Sequence, residues 1–279
     1  MNMPVNTLRS AFNIMPASPN DLREMSFVDH LSELRRAMVI SVLAIVLGAG
    51  AGFYYHSWFL KTLMAQVPGV NFVIVAPAEG LSAVLRLSIL MGLFVAMPII
   101  LREVFWFIGP AFTRGQRLML IPVLMSSYGL FVLGVSFAYF TLLPLGVRFL
   151  IGFTPPGIQP MLSIGRYIDF ASTLLFGTGL LFQVPILMLL LAMLGVVQQA
   201  QLKAQRRMVY FGSFVVAAVI TPSVDMLTQS LLGGTLIFLF ELGLGLMGLA
   251  EKIRKKPPQN EALYTQSEST DVLDSDSEK

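Results

Sequence analysis

Six stretches of this chain are nearly unbroken apolar runs, at roughly 37–55, 83–101, 119–142, 170–195, 208–221 and 230–250. A hydrocarbon core of about 30 Å is crossed by about 20 apolar residues of helix. Backbone polar groups in lipid must be satisfied within the segment, so runs of this kind fold as helices. The spacing therefore predicts an all-α polytopic membrane protein of six transmembrane helices. Composition agrees: 13% of residues are charged, 55% are hydrophobic and mean hydropathy is +0.74, whereas soluble domains carry about 25% charge. The first run lies too deep in the chain, and lacks the small-residue cleavage pattern, to be a removable leader. The fifth is short. Its 14 residues reach about 21 Å at 1.5 Å per residue, and Thr221-Pro222 ends it. A span that short predicts local bilayer thinning or cover from neighbouring helices, unless its boundary lies a few residues away.

Basic residues set the expected orientation. The N-terminal segment, the second and fourth connections and the C-terminal flank carry fourteen bases, among them Arg35, Arg36, Arg102, Arg114, Arg117, Lys203, Arg206, Arg207, Lys252 and Arg254. The other side has Lys61, Arg148 and Arg166, with Arg86 just inside the second span. The positive-inside rule then places both termini in the cytoplasm. This leaves two long outer loops, 56–82 and 143–169, and a short one, 222–229. The outer loops contain turn residues (Pro68-Gly69, Pro155-Pro156-Gly157) and apolar segments that suggest packing against the membrane face. The expected organisation is a flexible extension over 1–24, an amphipathic lead-in over 25–36, a membrane domain over 37–250, and a basic flank with a disordered acidic tail over 251–279. Met25 is a plausible alternative start. Without the last 21 residues, which hold six acids and one base, the chain has 18 bases and 10 acids. Such a body attracts anionic lipid. Its bases are scattered between apolar runs, which argues against a nucleic-acid partner.

Chemistry is sparse. With no cysteine, thiolate metal sites, disulfides and cysteine nucleophiles are excluded. The histidines, His30 and His56, flank the first span, so neither a paired-histidine metal site nor a serine–base pair is available within the membrane. No cofactor is called for, and the chain does not read as an enzyme. Polar groups at membrane depth are functional candidates instead. Arg86 lies near enough to a span end to snorkel. Gln183 stands two residues before Pro185, where it can line a cavity or bond a freed carbonyl or a partner helix. Glu241, in the middle of the last span, must be protonated or paired. Asp225 reads as a turn acid after Thr221-Pro222-Ser223. Gly48 and Gly52 form a G-x-x-x-G spacing that admits a close helix. Before the first span, Leu31, Leu34 and Met38 recur at helical spacing around Glu33 and Arg35-Arg36. Glu33 gains nothing from an anionic surface, so it either pairs with Arg36 or faces a cationic ligand.

These segments together resemble the TatC family of twin-arginine protein translocases over most of residues 26–250. The resemblance rests on His30-Leu31-Ser32-Glu33-Leu34-Arg35, Phe107-Ile108-Gly109-Pro110-Ala111-Phe112, Phe137-Ala138-Tyr139-Phe140 with Leu143-Pro144-Leu145, Phe182-Gln183-Val184-Pro185, and Thr221-Pro222-Ser223-Val224-Asp225 with Thr228-Gln229. It implies a non-enzymatic receptor in a bacterial inner membrane. Such a receptor binds twin-arginine signal peptides of folded cargo and works with single-span TatA/TatB-type partners on the protonmotive force, as a homo-oligomer within a larger complex. The implied peptide site comprises Leu31, Glu33, Leu34, Arg35, Glu103, Arg114, Gln116 and Arg117. Gln116 stands where members usually have a second glutamate, so Glu33 is expected to carry most of the arginine recognition, with Glu103 or Gln116 assisting. Gln183 likewise replaces a usual glutamate facing a membrane cavity, and Asp225 and Glu241 match acids common in the last outer turn and last span. The rival readings are a six-span secondary transporter of small solutes and a purely structural scaffold.

Overall fold

The computed structural model describes residues 27–155, 157, 159–221 and 226–254; side chains are described for these except 27–29, 114–115 and 252–254. Nine α-helices are present among them. They are α1 (Phe27–Met64), α2 (Pro77–Ile108), α3 (Arg114–Phe137), α4 (Leu143–Gly152), α5 (Ile164–Leu181), α6 (Val184–Leu194), α7 (Gln199–Ala204), α8 (Arg206–Ile220) and α9 (Met226–Arg254). A 3-10 turn, Gly109–Ala111, follows α2, and a π-helical turn, Ala138–Leu142, carries α3 into α4. Two three-residue strands, β1 (Asn71–Val73) and β2 (Met161–Ser163), pair in parallel with Asn71 opposite Met161. This ladder is the one departure from an all-α architecture among the described residues.

Five helical stretches are long and apolar enough to cross a membrane: His30–Met64, Pro77–Ala111, Gln116–Gly152, Ile164–Leu194 and Met226–Glu251. α8, at the position of the expected fifth span, has 15 residues and reaches about 22 Å. The lead-in is not a separate surface helix, because α1 runs through it and the first span without a break. The outer loops are also shorter than expected. α1 continues to Met64, α2 begins at Pro77, and α4 fills 143–152. The fourth span is broken: Pro185 offers no N–H to the Leu181 carbonyl, the Gln183 amide shifts to Leu180 O, and α6 starts afresh at Val184. α6 ends at Gly195, whose φ of 74° suits a residue without a Cβ.

α1 and α2 run antiparallel in close contact. A Cβ on Gly92 would lie 2.6 Å from the Ala49 nitrogen, and one on Gly52 would lie 2.7 Å from the Ser88 carbonyl oxygen. The G-x-x-x-G spacing is thus the seam on which these two backbones meet. Three further contacts place the α2–α3 link, the α6–α7 link and the described ends of α1 and α9 at one end of the bundle, here the terminal end. They are the stack of His30 on Phe107, the bond from Gln116 to Met193 O, and that from the Gln199 N–H to Glu251. The strands mark the opposite end. There the largest buried cluster gathers Leu63, Leu87, Leu142, Tyr167, Ile168 and Leu174.

Candidate functional site

At the terminal end, His30 stacks on Phe107 with ring centroids 4.3 Å apart and planes 19° from parallel. One turn further along each antiparallel helix come Glu33 on α1 and Glu103 on α2, so the pairing places both acids in one layer. Their surroundings differ. Glu103 is buried and accepts from the Arg102 guanidinium at 2.9 Å. Glu33 is half-buried, and its Oε2 is shut off from water with no hydrogen-bond partner among the described residues. Pairing of this oxygen with Arg36, one of the two expected roles, is therefore not what the fold shows. Leaving a carboxylate oxygen buried and unpaired is costly, and in native proteins it calls for an explanation. Leu31, Leu34 and Arg35 are exposed on the same stretch of α1.

Gln116 is engaged elsewhere. Its Oε1 accepts the Thr113 N–H at 3.0 Å and its amide donates to Met193 O at 3.0 Å, tying the start of α3 to the end of α6. A carboxylate at this position would keep the first bond and lack a donor for the second. Arg117 is exposed, and the Arg114 side chain lies outside the described set.

Within the bundle, Gln183 takes the interhelical role of the two expected for it. Ser127 on α3 donates to its Oε1, and its amide donates to Ser127 O at 2.9 Å. The pair fastens the broken fourth span to its neighbour at the point where the backbone ladder lapses. Glu241 is paired: Arg206 donates to Oε2 at 2.8 Å and Tyr210 to Oε1 at 2.6 Å, joining α8 to α9. Asp225 lies outside the described residues.

Several polar pairings were not foreseen from sequence. Arg86 on α2 is paired with Asp169 on α5, both about half exposed. The Glu79 carboxylate collects the Val75, Ala76 and Gly165 N–H groups and the Ser163 hydroxyl, which locks the start of α2 onto β2 and α5. Tyr167 donates to Leu63 O and Tyr139 to Thr62 O. Glu79 carried one local signal, an acid in the first turn after Pro77. The partners of Arg86 and Ser127 stand 83 and 56 residues away and left no local trace.

These features define a polytopic helical membrane protein with one tightly tied end and, at the other, a carboxylate oxygen with no partner among the described residues. Known proteins give the class a family. The family described as Sec-independent protein translocase protein (TatC) matches residues 29–234. The TatC protein of Synechocystis is 34% identical over 248 residues, covering 89% of this chain and 97% of that protein. The chloroplastic TATC protein of rice is 40% identical over 224 residues, covering 80% of this chain and 62% of that one. This chain thus spans less than two thirds of the length of the rice protein. A crystal structure of the twin-arginine translocase receptor TatC superposes with a TM-score of 0.71 at 36% identity, covering 80% of this chain and 99% of that one. The chain belongs to the TatC family, a family of protein transport rather than of enzymes.

Proposed function

We propose that this chain is the receptor subunit of a twin-arginine translocase, and that Glu33 grips the guanidinium pair of a cargo signal peptide. The supporting observation is the Glu33 Oε2, sequestered and without a hydrogen-bond partner among the described residues, at the end of the bundle where the described ends of α1 and α9 lie. A guanidinium satisfies such an oxygen with a charge-assisted, directional bond. Glu103, in the same layer, adds negative potential, although Arg102 already engages it. Gln116 acts as a strap between α3 and α6 and contributes no charge. Exposed Leu31 and Leu34 offer apolar contact to the peptide segment after its arginines. Gln183 serves transport through its polar pairing with Ser127, and no proton is taken up there.

In this reading the terminal end faces the cytoplasm, and α8 is a sixth, short span that thins the bilayer beside it. The host is a bacterial inner membrane. Single-span TatA/TatB-type subunits and further copies of this chain complete a complex driven by the protonmotive force. Since the chain lacks cysteine, a single cysteine placed near residue 27 reports orientation directly. Labelling of that cysteine from outside intact cells overturns the arrangement.

The test of the site itself is photocrosslinking of a twin-arginine peptide to the full-length chain and to Glu33→Ala. Labelling should collapse in the variant, and should be lost in wild type when the two arginines become lysines, because lysine cannot match the planar fork. Equal labelling of wild type and variant refutes the role of Glu33. A small-solute transporter finds no comparable support, since Gln183 and Glu241, the polar residues it would use, are both engaged in interhelical bonds.

A further inference from the structure

The fourth span is one run in sequence, but its two pieces belong to different halves of the bundle. Before the break, α5 lies against α2 and α3: Gly179 admits Phe131 and Val135, and Phe176 meets Phe131 edge to face. After it, α6 lies chiefly along α9. There Gly243 admits Met188 and the Pro185 backbone, and Met188 and Ala192 join Phe240, Leu244 and Met247 in one cluster. α7 and α8 go with α9. The Gln199 side chain donates to Leu244 O, its backbone N–H to Glu251, and Arg206 to Glu241. At the terminal end the halves part in an open cleft of about 690 Å³, with Met119 and Val123 of α3 on one side and Leu246 and Leu249 of α9 on the other.

Two points join the halves firmly. At the break, Ser127 and Gln183 bond to each other. Toward the strand-bearing end, Leu232 of α9 is fully buried in the main cluster. A line through these points is an axis on which α6 and the terminal-end part of α9 can turn, and the N–H that Pro185 lacks is one less bond against bending. At the terminal end the turn is opposed by apolar contact of α6 with Phe105 and Phe112 and by the bond from the Gln116 amide to Met193 O. The apolar part holds weakly, because lipid is as apolar as the side chains it would replace. Met193 O is among the last four carbonyls of α6, which have no helical partner and are satisfied equally by water. The strap is therefore releasable.

We propose that the fourth span is a hinge at Phe182-Gln183, on which α6 and the helices tied to it swing away from α3, and that Gln116 is the latch that keeps the cleft from widening. A glutamate at this position holds Thr113 but has no donor for Met193, so the latch belongs to the glutamine of this chain. Neither hinge nor latch requires a peptide, and the inference is independent of the role of Glu33.

Because the chain has no cysteine, pairs of spin labels can be placed at will in the full-length protein. Leu118→Cys with Val196→Cys, both exposed, reports the terminal end across the hinge. Phe140→Cys with Met226→Cys, also exposed, reports the opposite end. The first distance should be single in the otherwise unaltered chain. In Gln116→Glu a second population should appear, about 5 Å longer, as a bend of about 20° gives over the roughly 15 Å of α6 between the break and Met193. The second distance should not change. Adding Pro185→Ala, which returns the N–H, should remove the longer population. An unaltered first distance in Gln116→Glu overturns the proposal, and so does a longer population that survives Pro185→Ala. Equal lengthening of both distances also overturns it, because the bundle has then loosened as a whole. If Gln116→Glu does not fold, the labelled chain without it decides, frozen from a series of rising temperatures. The longer population should grow before the protein melts; a single distance up to melting overturns the proposal.

Discussion

The two ends of the bundle follow opposite rules. At the strand-bearing end, long-range polar groups are tied in: Tyr167 and Tyr139 bond the last turns of α1, and Glu79 gathers four donors from three segments. They lie over the largest buried cluster. At the terminal end the apolar contacts divide into smaller clusters, around Phe105 and Ile186 and around Met188 and Phe240. A cleft opens between helices there, and a carboxylate oxygen has no partner among the described residues. Satisfied polar networks rigidify a fold, and binding surfaces come from the less tightly held regions. One end is thus built as a platform and the other as a surface that accepts something.

The largest effect that tests this contrast lies on the seam joining the two ends. Gly92→Leu forces a side chain into the α1 backbone at Ile45 and Ala49, where neither helix can yield by a side-chain rotation. The expected cost is about 3 kcal/mol, the upper part of the range for overpacking, seen as loss of monodisperse protein in detergent. Gly50→Leu is the control, since nothing lies within 4 Å of a Cβ there. It should leave yield and melting unchanged. Equal damage from both would show that the seam is not what holds α1 to α2.

Next is the platform. Tyr167 is 1% exposed, and Tyr167→Phe deletes the hydroxyl while leaving the Leu63 carbonyl buried. The loss should be about 1–2 kcal/mol, read as a lower melting temperature with peptide binding retained. A binding defect as large as the stability defect would mean that the two ends are coupled more tightly than their separate packing implies. Smaller again is Gln183→Leu, which removes the two bonds to Ser127. Interhelical bonds in membranes are worth about 0.6 kcal/mol each on average, so stability should fall by about 1 kcal/mol, and cargo transport should fail through misplacement of the broken span. Normal transport by this variant would remove the polar role assigned to Gln183.

Much of this contrast was legible in the sequence, and the remainder had physical reasons to stay hidden. Apolar runs longer than the bilayer is thick can hardly be anything but helices, so Leu43 through Leu47 or Leu236 through Phe240 announce spans unaided. Pro185 announced a freed carbonyl in the fourth, though not the break that the structure shows there. Glu33 stood out because an acid beside an anionic surface needs a reason. The loops were harder, because 56–64 and 143–152 are apolar or carry turn residues yet continue as helix, their outcome set by packing on Leu87, Tyr167 and Leu174. Neither Asn71–Val73 nor Met161–Ser163 has the length of a strand, and each becomes one only by meeting the other. Pairings such as Arg86 with Asp169 and Gln183 with Ser127 depend on which helices become neighbours, which composition and periodicity do not encode.

The smallest stability effect carries the sharpest test. In Glu33→Gln the side chain keeps its shape and one carbonyl oxygen while losing its charge. A carboxylate oxygen shut off from water with no partner among the described residues is a cost to the folded state, and an amide in its place relieves part of that cost, although its NH2 then needs acceptors. The net change in stability should lie within about 0.5 kcal/mol of zero, whereas peptide crosslinking should fall to background, because the charge that draws the guanidinium is gone. Stability and binding would then separate at one residue, the reverse of the pattern expected for Tyr167→Phe. If Glu33→Gln instead melted several degrees lower with peptide labelling intact, the carboxylate would be a structural group, and the asymmetry between the two ends would have to be explained without a ligand.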